Sequence, residues 1–207
     1  MISPPRTKIV FDKILSIFLL LLSSPVWLLV VIASLTESLF SAKNRGPLFY
    51  SETRVSMGEQ FSLYKFRILR KEAITRIRSG AVPKEVENEP GTLTVTGRFL
   101  KKFGLDELAQ LVNIVIGDMS IVGPRPKPVA EYSRELELGV TARQLIKAGL
   151  TGPVQIMKGT KRTTGEQYQA DVDYMNLLRT GTSWEILKYD TRVMLKTAKV
   201  MLKGTGE

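Results

Sequence analysis

The sequence predicts an α+β protein in which a helix-break-helix segment at the amino end precedes a small β-hairpin and several amphipathic helices. Three observations predict it. An apolar run is interrupted by proline at its centre, a β-prone stretch turns at Met57-Gly58-Glu59, and helical periodicity resumes from Val95 onward.

The apolar run extends from Ile14 to Thr36, 23 residues without a formal charge, bounded by Lys13 and Glu37. As one helix it would reach about 34 Å, the hydrocarbon thickness of a bilayer. Pro25 stands at its middle, removes a backbone donor and clashes with the carbonyl four residues earlier. Ser23 and Ser24 stand beside it to satisfy the freed groups. Two readings follow: a kinked single span, or a re-entrant hairpin whose arms, Ile14–Ser24 and Val26–Thr36, have 11 residues each. Flanking charge favours the hairpin. Arg6, Lys8 and Lys13 lie on one side and Lys43, Arg45 and Arg54 on the other, so both ends look cytoplasmic. A cleaved signal peptide fits poorly, because the run exceeds the usual apolar region of about 7–15 residues and no small-x-small site follows it. Residues 1–36 are thus expected to form a membrane hairpin, and 37–207 one further domain.

The stretch "NRGPLFYSETRVSMGEQFSLYKFR" reads as two strands, Leu48–Val55 and Gln60–Arg67. Alternation puts Phe61, Leu63, Lys65 and Arg67 on one face, so two cations extend a face that begins apolar. Residues 71–92 read as a helix followed by a mobile loop, because Pro83, Pro90 and Gly91 interrupt them. Apolar spacing then marks two helices, Val95–Phe103 and Leu105–Val115, separated by Gly104 and stopped by "GDMSIVGPRPKP". From Trp184 to Lys203, Ile186, Leu187, Val193, Met194, Ala198 and Met201 recur near helical spacing beside a stripe of Lys188, Arg192, Lys196, Lys199 and Lys203. Such a helix suits a membrane surface or the domain core.

Composition narrows the chemistry. The 207 residues contain no histidine and no cysteine, which removes imidazole triads, thiolates and disulfides and leaves carboxylates, lysine, tyrosine and hydroxyls. A formal charge of +10 calls for an anionic partner. Asp106 and Glu107 follow Gly104 and fall in the first turn of a predicted helix, where the exposed N–H groups favour carboxylates and phosphates. Taken alone, the pair reads first as a simple helix cap. Lys101 and Lys102 upstream, Pro124-Arg125-Pro126 downstream and the Lys65/Arg67 strand end together suggest an anionic substrate held by cations around a carboxylate.

Five stretches carry a resemblance over nearly the whole chain: "KIVFDKIL…SSP", "GPLFY…R…YKFR", "GRFLKKFGLDELAQLVNIVIGDMSIVGPRP", "KAGLTGPVQ" and "DVDYM". They resemble the monotopic phosphoglycosyl transferases, or bacterial sugar transferases. The resemblance implies a re-entrant hairpin broken at Ser24-Pro25 and a domain on the cytoplasmic face of the bacterial inner membrane, partly embedded through amphipathic helices. It implies transfer of a sugar phosphate from a UDP-sugar donor to a polyprenyl phosphate acceptor, with Mg²⁺ and an aspartyl intermediate, to initiate glycoconjugate assembly. Membrane phospholipids are further expected partners, a homodimer is compatible, and nucleic acid is not expected.

Carried over residue by residue, Asp106 is the expected nucleophile and Mg²⁺ ligand, with Glu107 supporting the metal or the substrate. Lys65 is expected to orient Asp106, and Arg67 to contact phosphate. Pro124, Arg125 and Pro126 are expected at the nucleotide. Lys101 stands where the family usually has arginine, and Asp171, in an Asp-x-x-Tyr pattern completed by Tyr174, is expected to face substrate. The chain departs from the family at Ala109, a frequent proline, and at Lys147, Ala148, Met157 and Gly159; Lys158, Lys161 and Arg162 are candidates for the cation lost there. The competing readings are a membrane-tethered polyanion-binding module without catalysis, and a bitopic protein with an external domain.

Overall fold

A computed structural model describes residues 1–157 and 163–202. Its first elements are α1 (Arg6–Leu22) and α2 (Ser24–Phe40), bent by 54° at a break of one residue. That residue is Ser23, which closes α1 and opens α2, so Ser24 and Pro25 lie in the first turn of the second arm. Proline is tolerated there because a first-turn N–H has no helical partner to lose. The Ser23 hydroxyl donates to the Leu20 carbonyl at 3.3 Å. Among the described residues no single helix is long and apolar enough to cross a membrane, whereas the bent pair together passes by length and composition.

Both arms run past the uncharged stretch to 17 residues each, and their outer ends are fastened to the rest of the chain. On α1 the buried Lys8 ammonium lies 2.6 Å from Asp190 and 3.2 Å from Asp12, while Asp12 accepts the Ser120 hydroxyl. Beyond the break, Glu37 of α2 accepts the backbone N–H groups of Val95 and Thr96 at 2.6 and 3.0 Å and the Asn44 amide at 2.8 Å.

Strands β1 (Phe49–Ser56) and β2 (Glu59–Phe66) form the antiparallel hairpin, with Tyr50 opposite Lys65 and Glu52 opposite Leu63. Each strand is displaced by one residue from its expected span, and Arg67 falls past the end of β2. Helix α3 (Lys71–Arg78) matches the expectation, but the loop expected after it contains α4 (Pro83–Asn88). Pro83 starts that helix rather than breaking one, again because it occupies a first turn.

Next come α5 (Val95–Phe103), a 3₁₀ segment at Leu105–Ala109, and α6 (Gln110–Ile116). Two three-residue strands, β3 (Ser120–Val122) and β4 (Gly149–Thr151), pair in parallel, with α7 (Val129–Glu137) and α8 (Ala142–Leu145) between them. The long helices α9 (Thr164–Thr180) and α10 (Ser183–Leu202) end the described chain.

Two apolar clusters hold these elements. Leu63, Leu111, Ile114, Val122, Tyr174, Ile186 and Val193 centre the first, against which Leu15, Leu19 and Leu20 of α1 pack. Phe66, Leu69, Ile74, Val86, Leu100 and Val30 of α2 form the second. Strand β2 feeds both, and Leu108 packs against both, so the segment carrying Asp106 and Glu107 lies on the seam between them. Helix α10 buries Ile186 and Val193 in the first cluster and leaves Trp184 and Leu195 exposed, so its apolar side serves the core.

Candidate active site

The 3₁₀ segment owes its position to Gly104, which ends α5 at φ 65°, a left-handed conformation that other residues reach only at a steric cost. The dyad expected in an α-helical first turn is thus on a tighter coil, where successive side chains diverge by about 120°. Asp106 points inward and is 8 % exposed; Glu107 is half-buried.

Burial pushes the Asp106 carboxyl up to about 7, with repulsion from Glu107 adding to the rise and Lys65 opposing it. Lys65 does not face Asp106 alone. Its ammonium lies 3.5 Å from Glu52, which also pairs with Arg54. Burial works against the Glu52 charge, but Lys65 and Arg54 outweigh it and hold that carboxyl below its ordinary value. Lys65 therefore acts on two carboxylates, Glu52 held below its ordinary value and Asp106 raised to about 7.

The Pro-Arg-Pro segment meets the dyad from the other side. Pro124 and Pro126 are buried and Arg125 is exposed, with its guanidinium 3.4 Å from Glu107. The preceding turn admits only glycine: a Cβ at Gly123 would fall 2.3 Å from the Lys147 carbonyl oxygen. Behind the segment, the buried Arg143 donates to the Arg125 carbonyl at 2.9 Å, to Glu135 at 2.8 Å and to Asp171 at 3.1 Å.

Several expected site residues are placed elsewhere. Arg67 is buried, and its guanidinium donates to the carbonyls of Pro47, Leu69 and Asn44 at 2.7, 2.9 and 2.7 Å. It clamps the chain after α2 to the end of β2 instead of opening toward a phosphate. Asp171 is fully buried against Arg143 and does not face a substrate space; burial raises it to about 6, with Arg143 pulling it down and Glu135 pushing it up. Its companion Tyr174 donates 2.8 Å to Asp190 and 3.1 Å to the Val122 carbonyl. Lys101 lies at 3.5 Å from Glu87 and 3.2 Å from Asn88, on the α4 side. Lys147 donates to the Gly117 carbonyl. Lys158, Gly159, Lys161, Arg162 and Lys203 lie outside the described residues.

Glu52 was readable from the sequence, since alternation in β1 puts Tyr50, Glu52 and Arg54 on the face that carries Lys65 across the hairpin. Arg143 and Glu135 gave no such signal, because neither belongs to a motif or a charge run.

For a divalent cation, Asp106 and Glu107 are adjacent carboxylates whose mutual repulsion a cation would relieve. Among the described residues no group of three metal-binding side chains exists. That donor set suits Mg²⁺, which is ordinarily held by one or two carboxylates together with substrate phosphates and water.

Residues 4–204 match the family model described as bacterial sugar transferase. The chain is 34 % identical over 173 residues to the galactosyl transferase CpsE of Streptococcus agalactiae, covering 79 % of this chain and 36 % of that one. It is 31 % identical over 200 residues to the sugar transferase EpsL of Bacillus subtilis, covering 96 % and 89 %. To the UDP-glucose:undecaprenyl-phosphate glucose-1-phosphate transferase of Escherichia coli it is 32 % identical over 191 residues, covering 90 % and 38 %. The chain thus spans little more than a third of CpsE and of the E. coli enzyme, but most of EpsL. The match to the family model, together with the dyad beside Lys65 and Arg125, shows that the chain belongs to the bacterial sugar transferase family.

Proposed function

We propose that the protein transfers a sugar 1-phosphate from a UDP-sugar to polyprenyl phosphate at the cytoplasmic face of the bacterial inner membrane. The observation that carries this is Asp106: a buried carboxylate, raised to about 7, flanked by Glu107, Lys65 and Arg125 within a family match over nearly the whole chain. Relatives named as glucose- and galactose-phosphate transferases onto undecaprenyl phosphate support the donor and acceptor classes.

In this mechanism an Asp106 carboxylate oxygen attacks the β-phosphorus of the donor, and the bond to the α-phosphate oxygen breaks. UMP leaves, and the sugar phosphate remains on Asp106. A phosphate oxygen of the lipid acceptor then attacks the same phosphorus, the bond to Asp106 breaks, and the carboxylate is restored. No proton transfer to or from imidazole is needed, which suits a chain without histidine. Lys65 stabilises the ionised nucleophile, and Arg125 offers a planar fork to the diphosphate or a face to the uracil. Asp106, with support from Glu107, would hold Mg²⁺, and the cation would there supply charge screening for the diphosphate.

The bent pair serves this chemistry as a re-entrant anchor. Its two outer ends are bound to one globular body, through Lys8 to Asp190 and through Glu37 to the start of α5, which supports placing both ends on the same side of the membrane. Helix α5 leads from that anchor to the dyad and exposes Val95, Phe99 and Phe103, an apolar edge suited to the lipid interface. Phospholipids are therefore part of the working environment.

The test is UMP release from a panel of UDP-sugars with polyprenyl phosphate and Mg²⁺, comparing native protein with Asp106→Asn. Native turnover with one or more sugars, and none in the variant, is expected. Equal turnover in the variant would refute Asp106 as nucleophile.

A further inference from the structure

A cavity of about 460 Å³ opens between the start of β1 and α3. It stands apart from the catalytic machinery. None of Lys65, Asp106, Glu107 or Arg125 lines it, and Phe49 and Ser51 of its wall lie on the hairpin face opposite the one that carries Lys65. Arg45, Lys71 and Arg78 line it together with Phe49 and Thr75, and no carboxylate is among its lining residues. All three cations are solvent-exposed. The Lys71 and Arg78 side chains form no hydrogen bond or ion pair among the described residues. Three cations facing one cleft without a counter-charge specify an anionic ligand.

The bent pair says what kind of anion. Arg45 donates its Nε to the Ser38 carbonyl in the last turn of α2 at 3.3 Å, in a stretch where Leu35, Leu39 and Phe40 are exposed, Phe40 to 91 %. Apolar exposure of that extent at the outer end of a membrane arm suits lipid, and Arg45 then stands where the arm reaches the headgroups. Four residues on, the exposed Phe49 ring stacks on Phe66 at 5.3 Å and meets Trp27 of α2 at 5.9 Å. Trp27 and Ser38 are about 16 Å apart along the helix. One wall of the cleft therefore follows α2 from its outer end back toward the break. A ligand on this wall has an anionic head and an apolar portion that runs beside the arm, which describes a phospholipid rather than a soluble phosphate. Three unpaired cations repel the ammonium of a zwitterionic headgroup and favour one whose only charge is negative.

We propose that this cleft seats the headgroup of one anionic phospholipid, with Arg45, Lys71 and Arg78 around its phosphodiester and Phe49 against the first carbons of its acyl chains. The seat fastens the chain to the leaflet at a second point besides the bent pair, on the far side of the hairpin from Lys65. The inference takes the membrane placement of the bent pair from the functional reading above, and the seated lipid takes no part in sugar transfer.

Native mass spectrometry of the full chain in neutral detergent micelles, with phosphatidylglycerol and phosphatidylcholine added in equal amounts, tests it. Native protein is expected to retain one phosphatidylglycerol and to prefer it about ten-fold or more over phosphatidylcholine. The double variant Lys71→Ser/Arg78→Gln, at exposed positions, is expected to weaken phosphatidylglycerol retention about ten-fold or more and leave phosphatidylcholine within about two-fold. Arg45→Gln, measured alone, moves retention in the same direction and provides a second variant should the double one fold poorly. Arg192→Gln/Lys196→Ser removes the same charge from exposed positions of α10 and is expected to stay near native. An equal loss in that control shows diffuse attraction to the whole basic chain and overturns the inference. So does unchanged retention in both cleft variants, and so does displacement of the lipid by excess inorganic phosphate, which assigns the cleft to a free anion. Equal retention of the two lipids by protein that releases UMP from a UDP-sugar overturns the seat and leaves the transfer reading standing. Protein that retains phosphatidylglycerol through these cations yet consumes no UDP-sugar refutes the transfer reading and leaves the seat standing.

Discussion

Asp106 links stability to function through one proton. Its folded value of about 7 lies above the ordinary 3.8, so the folded chain holds the proton more tightly than the unfolded one. Stability therefore falls as pH rises from about 4 to about 7. In metal-free buffer, Asp106→Asn removes that penalty. The variant should melt on the order of 5 °C higher than native protein at pH 8 and nearly equal to it at pH 4, measured by thermal unfolding. If Asp106 is the nucleophile, donor kcat/KM in the native protein should fall in acid as its carboxyl is protonated, and Mg²⁺ should move that fall below the metal-free value of about 7. Arg125 gives the opposite pattern. It is exposed and its contact with Glu107 adds little to stability, so Arg125→Lys should change unfolding free energy by less than about 1 kcal/mol. Loss of the planar fork should lower donor kcat/KM about ten-fold or more. The identity of both residues was legible in the sequence, since each stands in a specific motif. The burial that sets the Asp106 proton was not, because it depends on β2 packing against the segment from elsewhere in the chain.

Among the elements, the loop bearing Arg125 is fixed by a residue that no local pattern marks. Arg143 joins α8 to α7 through Glu135, to α9 through Asp171 and to the loop through the Arg125 carbonyl. Arg143→Met would leave two buried carboxylates without their cation, at a cost of about 3–5 kcal/mol, readable as a lower denaturant midpoint. Here the sequence was legible in proportion to the range of the interaction. The hairpin and α5 follow from alternation and helical spacing within a few residues. Strands β3 and β4, at three residues each, are too short to show a period. Asp171 looked substrate-facing because motif and charge suggested it, whereas its partner lies 28 residues away in sequence. The 3₁₀ coil at the dyad escaped for a related reason: apolar spacing alone does not separate it from the α-helix it leads into.

On the scale of the whole molecule, the account depends on both ends of the bent pair facing the same compartment. The chain has no native cysteine, so single cysteines at Ser3 and Lys43 report topology directly. An impermeant thiol reagent is expected to label neither in intact cells and both in inverted membrane vesicles. Labelling of one in intact cells would show a spanning helix. The symmetry of flanking charge was visible in the sequence. What holds the two arms was not, since Lys8 and Asp190 are 182 residues apart and Glu37 meets Val95 from 58 residues away. Those long-range ties also align α1 with the loop that carries Arg125, because Asp190 binds Tyr174 and Tyr174 binds the Val122 carbonyl.

The central claim is that Asp106 carries the sugar phosphate between donor and acceptor. Incubation with a productive UDP-sugar and Mg²⁺, without any lipid acceptor, followed by rapid quenching and intact and peptide mass spectrometry, tests it most directly. A mass increase equal to one sugar phosphate on the peptide containing Asp106, with stoichiometric UMP, is predicted. UMP formed only when acceptor is present, with Asp106 unmodified throughout, would contradict it.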